Sequence, residues 1–98
     1  MGIFSTIKKA LFGEPVDYSA ILENGGVLID VRTPSEFNSG HAKGSKNIPL
    51  QNLSNQLKKL KGKQVVLVCR SGARAAQAKN TLQNNGITAH NAGSWTNI

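Results

Sequence analysis

A chain of 98 residues, with 12 Lys and Arg set against 5 Asp and Glu, is one domain carrying a formal charge of +7, long enough for a single core and too short for a second. That charge attracts small anions, nucleic acid or an acidic surface, but Lys58, Lys59, Lys61 and Lys63 cluster without interleaved aromatics and no nucleic-acid motif is present, so the cluster reads as a solvated face and nucleic acid is not expected as a partner. The single cysteine excludes an internal disulfide and no apolar run approaches the ~20 residues of a membrane span, so the expectation is a soluble, reduced, cytoplasmic protein.

In chain order, Ile3, Phe4, Ile7, Ala10 and Leu11 recur at helical spacing around Lys8 and Lys9, and Gly13-Glu14-Pro15 ends the pattern. An amphipathic helix over residues 3–12 is predicted, within a segment 1–14 that precedes a domain of residues 15–98. Its apolar stripe is expected to dock on that domain and not on a membrane, and it lacks the long apolar core and small-residue cleavage site of a secretory signal. Met1 to Thr6 fits the N-myristoylation pattern, which is short enough to arise by chance.

Pro15-Val16-Asp17 is predicted as a first short strand, with Asp17 capping a helix from Tyr18 to Glu23 that Asn24-Gly25-Gly26 closes. Val27 to Val31 is a second strand, whose unbroken apolar character suits a parallel sheet covered on both faces. Thr33-Pro34-Ser35-Glu36 combines a capping box with proline at the first helical position and announces a short helix through Phe37. Gly40-His41-Ala42-Lys43-Gly44 is a glycine-bracketed turn, and Asn47-Ile48-Pro49 a brief strand ended by proline. No acidic or cysteine partner lies at ligand spacing from His41, so it reads as a hydrogen-bonded structural histidine; no metal or other cofactor is implied. Leu50, Leu53, Leu57 and Leu60 form one face of an amphipathic helix. A buried strand over Val65 to Val68 follows, then a loop from Cys69 to Arg74 and a helix lined by Ala75, Ala78 and Leu82. Ile87 to Asn91 is the last strand, with Ala92 to Trp95 turning away from it so that Trp95 closes over the core or the rim of the loop. The total is about five short parallel strands alternating with helices, an α/β domain.

The chemistry gathers at Val65-Val66-Leu67-Val68-Cys69-Arg70-Ser71-Gly72-Ala73-Arg74. An apolar strand delivers Cys69 to the carboxyl edge of the sheet, where open α/β sheets place ligand sites, and Asp30 reaches the same edge if the strands are parallel. Gly72 permits a tight turn whose successive N–H groups form a cup for negative charge, and the following helix start and two arginines favour a thiolate. A lone cysteine after an apolar strand is commonly an inert buried hydrophobe. An inert cysteine, however, has no need of Arg-Ser-Gly-Ala-Arg directly after it, where charge is costly to bury. Asp30 beside two arginines is better tolerated paired than alone, and is expected to orient Arg74 or the loop backbone.

These residues resemble a known family. Leu28-Ile29-Asp30-Val31-Arg32 with Glu36-Phe37, Gly40-His41 and Gly44 with Asn47-Ile48-Pro49, and Cys69 to Arg74 look like a single-domain rhodanese-like sulfurtransferase, in order and spacing, from about Pro15 to Trp95. The resemblance implies a five-stranded parallel sheet flanked by helices, to which residues 3–12 are an addition. It implies that Cys69 takes the outer sulfur of thiosulfate or another small anionic donor as a persulfide and passes it to cyanide or a thiol, a protein sulfur acceptor among the candidates. By the same resemblance, the amides of Arg70, Ser71, Gly72, Ala73 and Arg74 cradle the persulfide, Arg70 and Arg74 position the donor, Asp30 and Arg32 match the family's structural strand-end pair, and His41 matches its structural turn histidine. The chain departs from the family pattern at Ala42-Lys43, where a larger aliphatic and then proline are usual, and at Ala92-Gly93, where two glycines are usual. Cysteine-dependent phosphatases have a related fold with a loop one residue longer; here only Arg70 to Ala73 separate Cys69 from Arg74, a cup better suited to one sulfur atom. A non-catalytic sulfur carrier or persulfide sensor that docks through the lysine face is the alternative from a different class.

Overall fold

The computed structural model describes residues 16–98; the predicted helix at 3–12 and Pro15 lie outside the described residues. Asp17 caps helix α1, Tyr18–Glu23, by accepting a hydrogen bond from the Ala20 amide at 3.0 Å. Strand β1, Val27–Asp30, follows, then α2, Pro34–Asn38, whose capping box is formed as the sequence predicts: Thr33 Oγ1 accepts from the Glu36 amide while the Glu36 carboxylate accepts from the Thr33 amide. Strand β2 is only Lys46–Asn47, and a 3-10 turn over Leu50–Asn55 leads into α3, Leu57–Leu60. Strand β3, Gln64–Cys69, α4, Ala73–Asn84, β4, Thr88–Ser94, and a closing 3-10 turn at Trp95–Asn97 complete the chain.

All four strands are parallel, in the order β2-β1-β3-β4. The inner strand β3 is buried from Val65 to Cys69 because both its faces are covered. On one side Ile29, Val65, Leu67, Cys69 and Ala89 meet Leu53, Leu60 and the α4 residues Ala75, Ala78 and Leu82. On the other, Leu28, Val66, Val68 and Ala92 meet Tyr18, Ile21 and Leu22 of α1 together with Ala42 and Trp95. The small side chains of Ala75 and Ala78 let α4 lie close on the sheet, and this fixes the height of its first turn above the end of β3.

Four strands are formed among the described residues, not five. Val16 and Asp17 add none: Asp17 is committed to capping α1 and Val16 is exposed. The leucine series at 50–60 is not one helix. It breaks at Gln56 (φ −115°, ψ 9°) between the 3-10 turn and α3, because a three-residue step is the period of a 3-10 turn as well as part of the α pattern, and Asn52, Ser54 and Asn55 are poor helix formers. Leu53 and Leu60 are still buried. The last strand does not end at Asn91 but runs to Ser94, with Leu67 opposite Asn91 and Cys69 opposite Ser94, so β4 carries one extra residue at this point. Trp95 does pack on the second core. None of the described helices is long and apolar enough to cross a membrane.

The chain passes close against α1 at Gly26, just before β1, where a Cβ would stand 2.6 Å from Ile21 Cγ2 and 2.7 Å from the Ile21 carbonyl oxygen. Gly26→Ala is therefore expected to cost about 1–3 kcal/mol, the usual penalty for overpacking. Thermal unfolding measures it; an unchanged Tm would mean that α1 can lift away without loss.

Candidate active site

Cys69 ends β3 and is 1% exposed. Its Sγ accepts hydrogen bonds from the Gly72 amide at 2.9 Å and the Ala75 amide at 3.4 Å. The geometry follows from the local sequence. Gly72 takes φ 107°, a left-handed angle that turns the chain sharply between β3 and α4, so its N–H points back at the sulfur. No side chain caps α4, and the sulfur occupies the place of a capping acceptor at a helix start, where unpaired N–H groups and the helix dipole favour negative charge. Gly72 is one of the residues the loop pattern names; Ala75 is a donor which that pattern misses. Arg70, Ser71 and Ala73 are exposed around the mouth.

At the same sheet edge Asp30 is fully buried, and its partner is Arg32, not Arg74. Arg32 Nε donates to both carboxylate oxygens at 2.9 and 3.0 Å, Nη2 donates to Oδ2 at 2.7 Å, and the Arg32 amide donates to Oδ1 at 3.0 Å. The expectation that Asp30 orients Arg74 is thus corrected: a residue two positions on, folding back over the strand end, satisfies the carboxylate completely. Arg32 also donates to the Gly40 carbonyl at 2.7 Å, and its guanidinium lies 4.8 Å from the centre of the Trp95 ring. Asn47, which the sequence marks only as part of a strand, pins the same backbone, donating through Nδ2 to the carbonyls of Asp30 (3.0 Å) and Arg32 (2.9 Å). His41 Nδ1 lies 2.8 Å from the Phe37 carbonyl, and the ring stacks on Phe37 at 3.7 Å.

Arg74 reaches across the mouth to Glu36, a residue the site reading did not name. Nη1 donates to Oε1 at 2.7 Å and Nη2 to Oε2 at 2.9 Å, a two-pronged pair between the first turns of α4 and α2. The hydrogen bonds from Arg74, with help from the Thr33 amide, hold the Glu36 carboxyl well below its ordinary range, and Glu36 in turn raises Arg74 above its own. Of the two arginines assigned to a donor, Arg74 is therefore occupied. Arg70 makes no ion pair among the described residues, and lines a cleft with Arg32, Ser35, Glu36, Ser39 and Trp95.

The two ion pairs differ in burial and so in expected cost. Arg32→Ala leaves a buried carboxylate alone and is expected to lose about 3–5 kcal/mol, whereas Arg74→Ala breaks a pair about one-third exposed, which water screens, and is expected to lose much less. Denaturant titration of both variants compares them; equal losses would contradict the ranking. Because the Glu36 carboxyl is lowered by folding, its contribution is complete above the ordinary carboxylate pKa of about 4.3 and is lost as pH falls below it. The stability gap between the parent and Glu36→Gln should close on acidification and persist at pH 7; a gap independent of pH would refute the pair's role.

Comparison with known proteins meets this geometry. A family model described as Rhodanese-like domain matches residues 14–98. The uncharacterized protein YqhL of Bacillus subtilis is 44% identical over 62 residues, covering 62% of this chain and 49% of that protein, so the chain spans about half of that relative's length. The thiosulfate sulfurtransferase PspE of Escherichia coli is 34% identical over 95 residues, covering 93% of this chain and 91% of that enzyme. Among solved structures, the human single domain sulfurtransferase TSTD1 superposes with a TM-score of 0.71 at 27% identity, covering 83% of this chain and 88% of that one. With the family match running through every described element and a relative aligned along nearly its whole length, the chain belongs to the rhodanese-like domain family.

Proposed function

We propose that this sulfurtransferase-family chain moves sulfane sulfur from thiosulfate, or a similar small anionic donor, to cyanide or a thiol through a persulfide on Cys69. The observation that carries the reading is the sulfur itself: held at the carboxyl edge of the sheet and facing two backbone amides, it sits where negative charge is stabilised before any substrate arrives. The Cys69 thiolate attacks the outer sulfur of thiosulfate. The new bond joins the two sulfurs, and the old sulfur–sulfur bond breaks with its electron pair leaving on sulfite. The acceptor thiolate or cyanide then attacks the terminal sulfur of the persulfide, and Cys69 leaves as the thiolate with which the cycle began.

In this reading Arg70 draws the donor into the mouth, while Arg74 acts on the loop through Glu36. The Asp30–Arg32 pair and His41 hold the frame, and Ser71 and Ala73 shape the rim. The four-residue spacing from Cys69 to Arg74 supports sulfur rather than phosphoryl transfer. A free thiol of this kind suits a reduced, cytoplasmic setting, with small anions and not nucleic acid as partners.

Incubation with thiosulfate should add one sulfur atom to the intact mass, removed again by cyanide and absent in Cys69→Ser. In steady state, Arg70→Ala should raise the apparent KM for thiosulfate several-fold with kcat less affected, and Arg74→Ala should raise it less. No adduct on the parent protein would end the assignment. A stable adduct without turnover would instead identify a sulfur carrier, and a larger KM effect at Arg74 would reverse the roles given to the two arginines.

A further inference from the structure

The extra residue in β4 lies beside the cysteine loop, and its effect is to place one side chain. Between the Leu67–Asn91 and Cys69–Ser94 pairs, β4 spends three residues where β3 spends two. Bulges of this kind bend a strand and re-aim a side chain, often next to a functional site. Here the side chain is Asn91, and both ends of its amide are used. Nδ2 donates to the Gly72 carbonyl at 3.0 Å, and Oδ1 accepts from the Gly93 amide at 2.9 Å. The two glycines it bridges both take left-handed angles, Gly72 at φ 107° and Gly93 at φ 80°. They approach so closely that a Cβ on Gly72 would lie 3.5 Å from the Gly93 Cα. The Asn91 main chain is itself anchored, since its carbonyl accepts from the Tyr18 hydroxyl at 3.2 Å.

The geometry points to Asn91 as a positioning residue for the Cys69 nucleophile: by holding the Gly72 carbonyl, it keeps the Gly72 amide aimed at the sulfur. Gly72 has no side chain to fix its backbone, and glycine crosses between left- and right-handed angles more freely than any other residue. Of the two amides that face Sγ, the nearer belongs to this least constrained residue. The Gly72 carbonyl also takes the first backbone hydrogen bond of α4, from Ala76 at 2.9 Å, so Asn91 holds the residue whose carbonyl starts the helix and whose amide, one peptide earlier, faces the sulfur. Among the described residues no hydrogen bond joins the Asn91 side chain to Sγ or to the mouth arginines, and its link to the sulfur runs through Gly72. The nearby charges, Arg70, Arg74 with Glu36, and Asp30 with Arg32, do not depend on it.

The inference rests on Cys69 being the nucleophile, but its test needs no sulfur transfer. Asn91→Leu is close in size and neutral, and it removes both hydrogen bonds. The rate of Cys69 alkylation by iodoacetamide, an uncharged reagent, is measured at pH 7 and near pH 10 on the full chain. Loss of one hydrogen bond to a charged sulfur should slow alkylation about tenfold at pH 7. Near pH 10, where a thiol ionises without help, the variant should approach the parent rate. His90→Ala, one residue earlier in β4 with its ring 3.2 Å from Gln64 Oε1, serves as the control for general loosening of the strand and should alkylate as the parent does. If Asn91→Leu does not unfold cooperatively, Asn91→Ser, neutral and too short to span both glycines, is judged by the same comparison. Parental alkylation at both pH values, with only Tm lowered, would make Asn91 a strut of β4 and overturn the proposal. Equal slowing at both pH values would indicate altered access and overturn it as well. A parent protein inert to the reagent would remove the nucleophile on which the inference stands.

Discussion

The structure depends on keeping a cysteine sulfur, faced by two backbone amides, at the end of the most deeply buried strand. A side chain there is shielded from water, so any charge it carries must be compensated by groups already in place. The chain meets this with backbone more than with side chains: the left-handed turn at Gly72 and the first turn of α4 aim two N–H groups at Sγ. Backbone donors suit the task because they carry no formal charge that would itself need burying, and because α4 holds them at a fixed height. That height is set by Ala75 and Ala78 pressed against the sheet, so the packing of the core and the geometry of the cup are one constraint.

A second fixed structure stands beside the cup and is built from charge. Asp30 and Arg32 share four hydrogen bonds at the end of β1, and from there Arg32 reaches the Gly40 carbonyl and lies against Trp95. A buried pair of this kind is weak evidence for stability in itself, since its attraction only offsets the cost of removing two charges from water. Its consequence is positional. The strand end, the turn before His41 and the last turn of the chain are tied to one guanidinium, while Asn47 fixes the same backbone from the neighbouring strand. The departure at Ala92 fits this frame: only Gly93 takes a left-handed angle, so an alanine at 92 is accommodated within the core.

What the sequence made legible is what local rules govern. Thr33-Pro34-Ser35-Glu36 specified a capped helix start, the apolar run before Cys69 specified a buried parallel strand, and Cys69 to Arg74 specified a strand–turn–helix cup. Each is decided by residues within a few positions of one another. The family resemblance paired Asp30 with Arg32, the pair that forms, whereas reading the residues alone aimed Asp30 at Arg74, because how the chain leaves β1 is not written in the local pattern. The other misses involve partners chosen across the fold. Glu36 read as half of a capping box, and its second role needs α2 and α4 to meet, which no local pattern announces. The bulge in β4 was hidden because Ala92-Gly93-Ser94 reads as a turn away from the strand, and only pairing with β3 makes it strand. The break at Gln56 was hidden because 3-10 and α periods share a three-residue step.

The distribution of charge around the mouth follows from these pairings. Three arginines lie at this end of the sheet, yet Asp30 neutralises one and Glu36 another, leaving Arg70 unpaired among the described residues. Lys58, Lys59, Lys61 and Lys63 are exposed on the segment around α3, so much of the formal +7 is not at the mouth. At physiological salt a charge acts over about 8 Å, so the lysines steer anions weakly while Arg70 acts on one already arriving. A mouth with a single uncommitted cation attracts a small anion weakly, since only one charge is free to hold it. In the sulfur transfer proposed above, that balance would let the leaving group depart through the opening by which the donor enters. The fixed interactions of the site, the two amides on Sγ, belong to the sulfur itself.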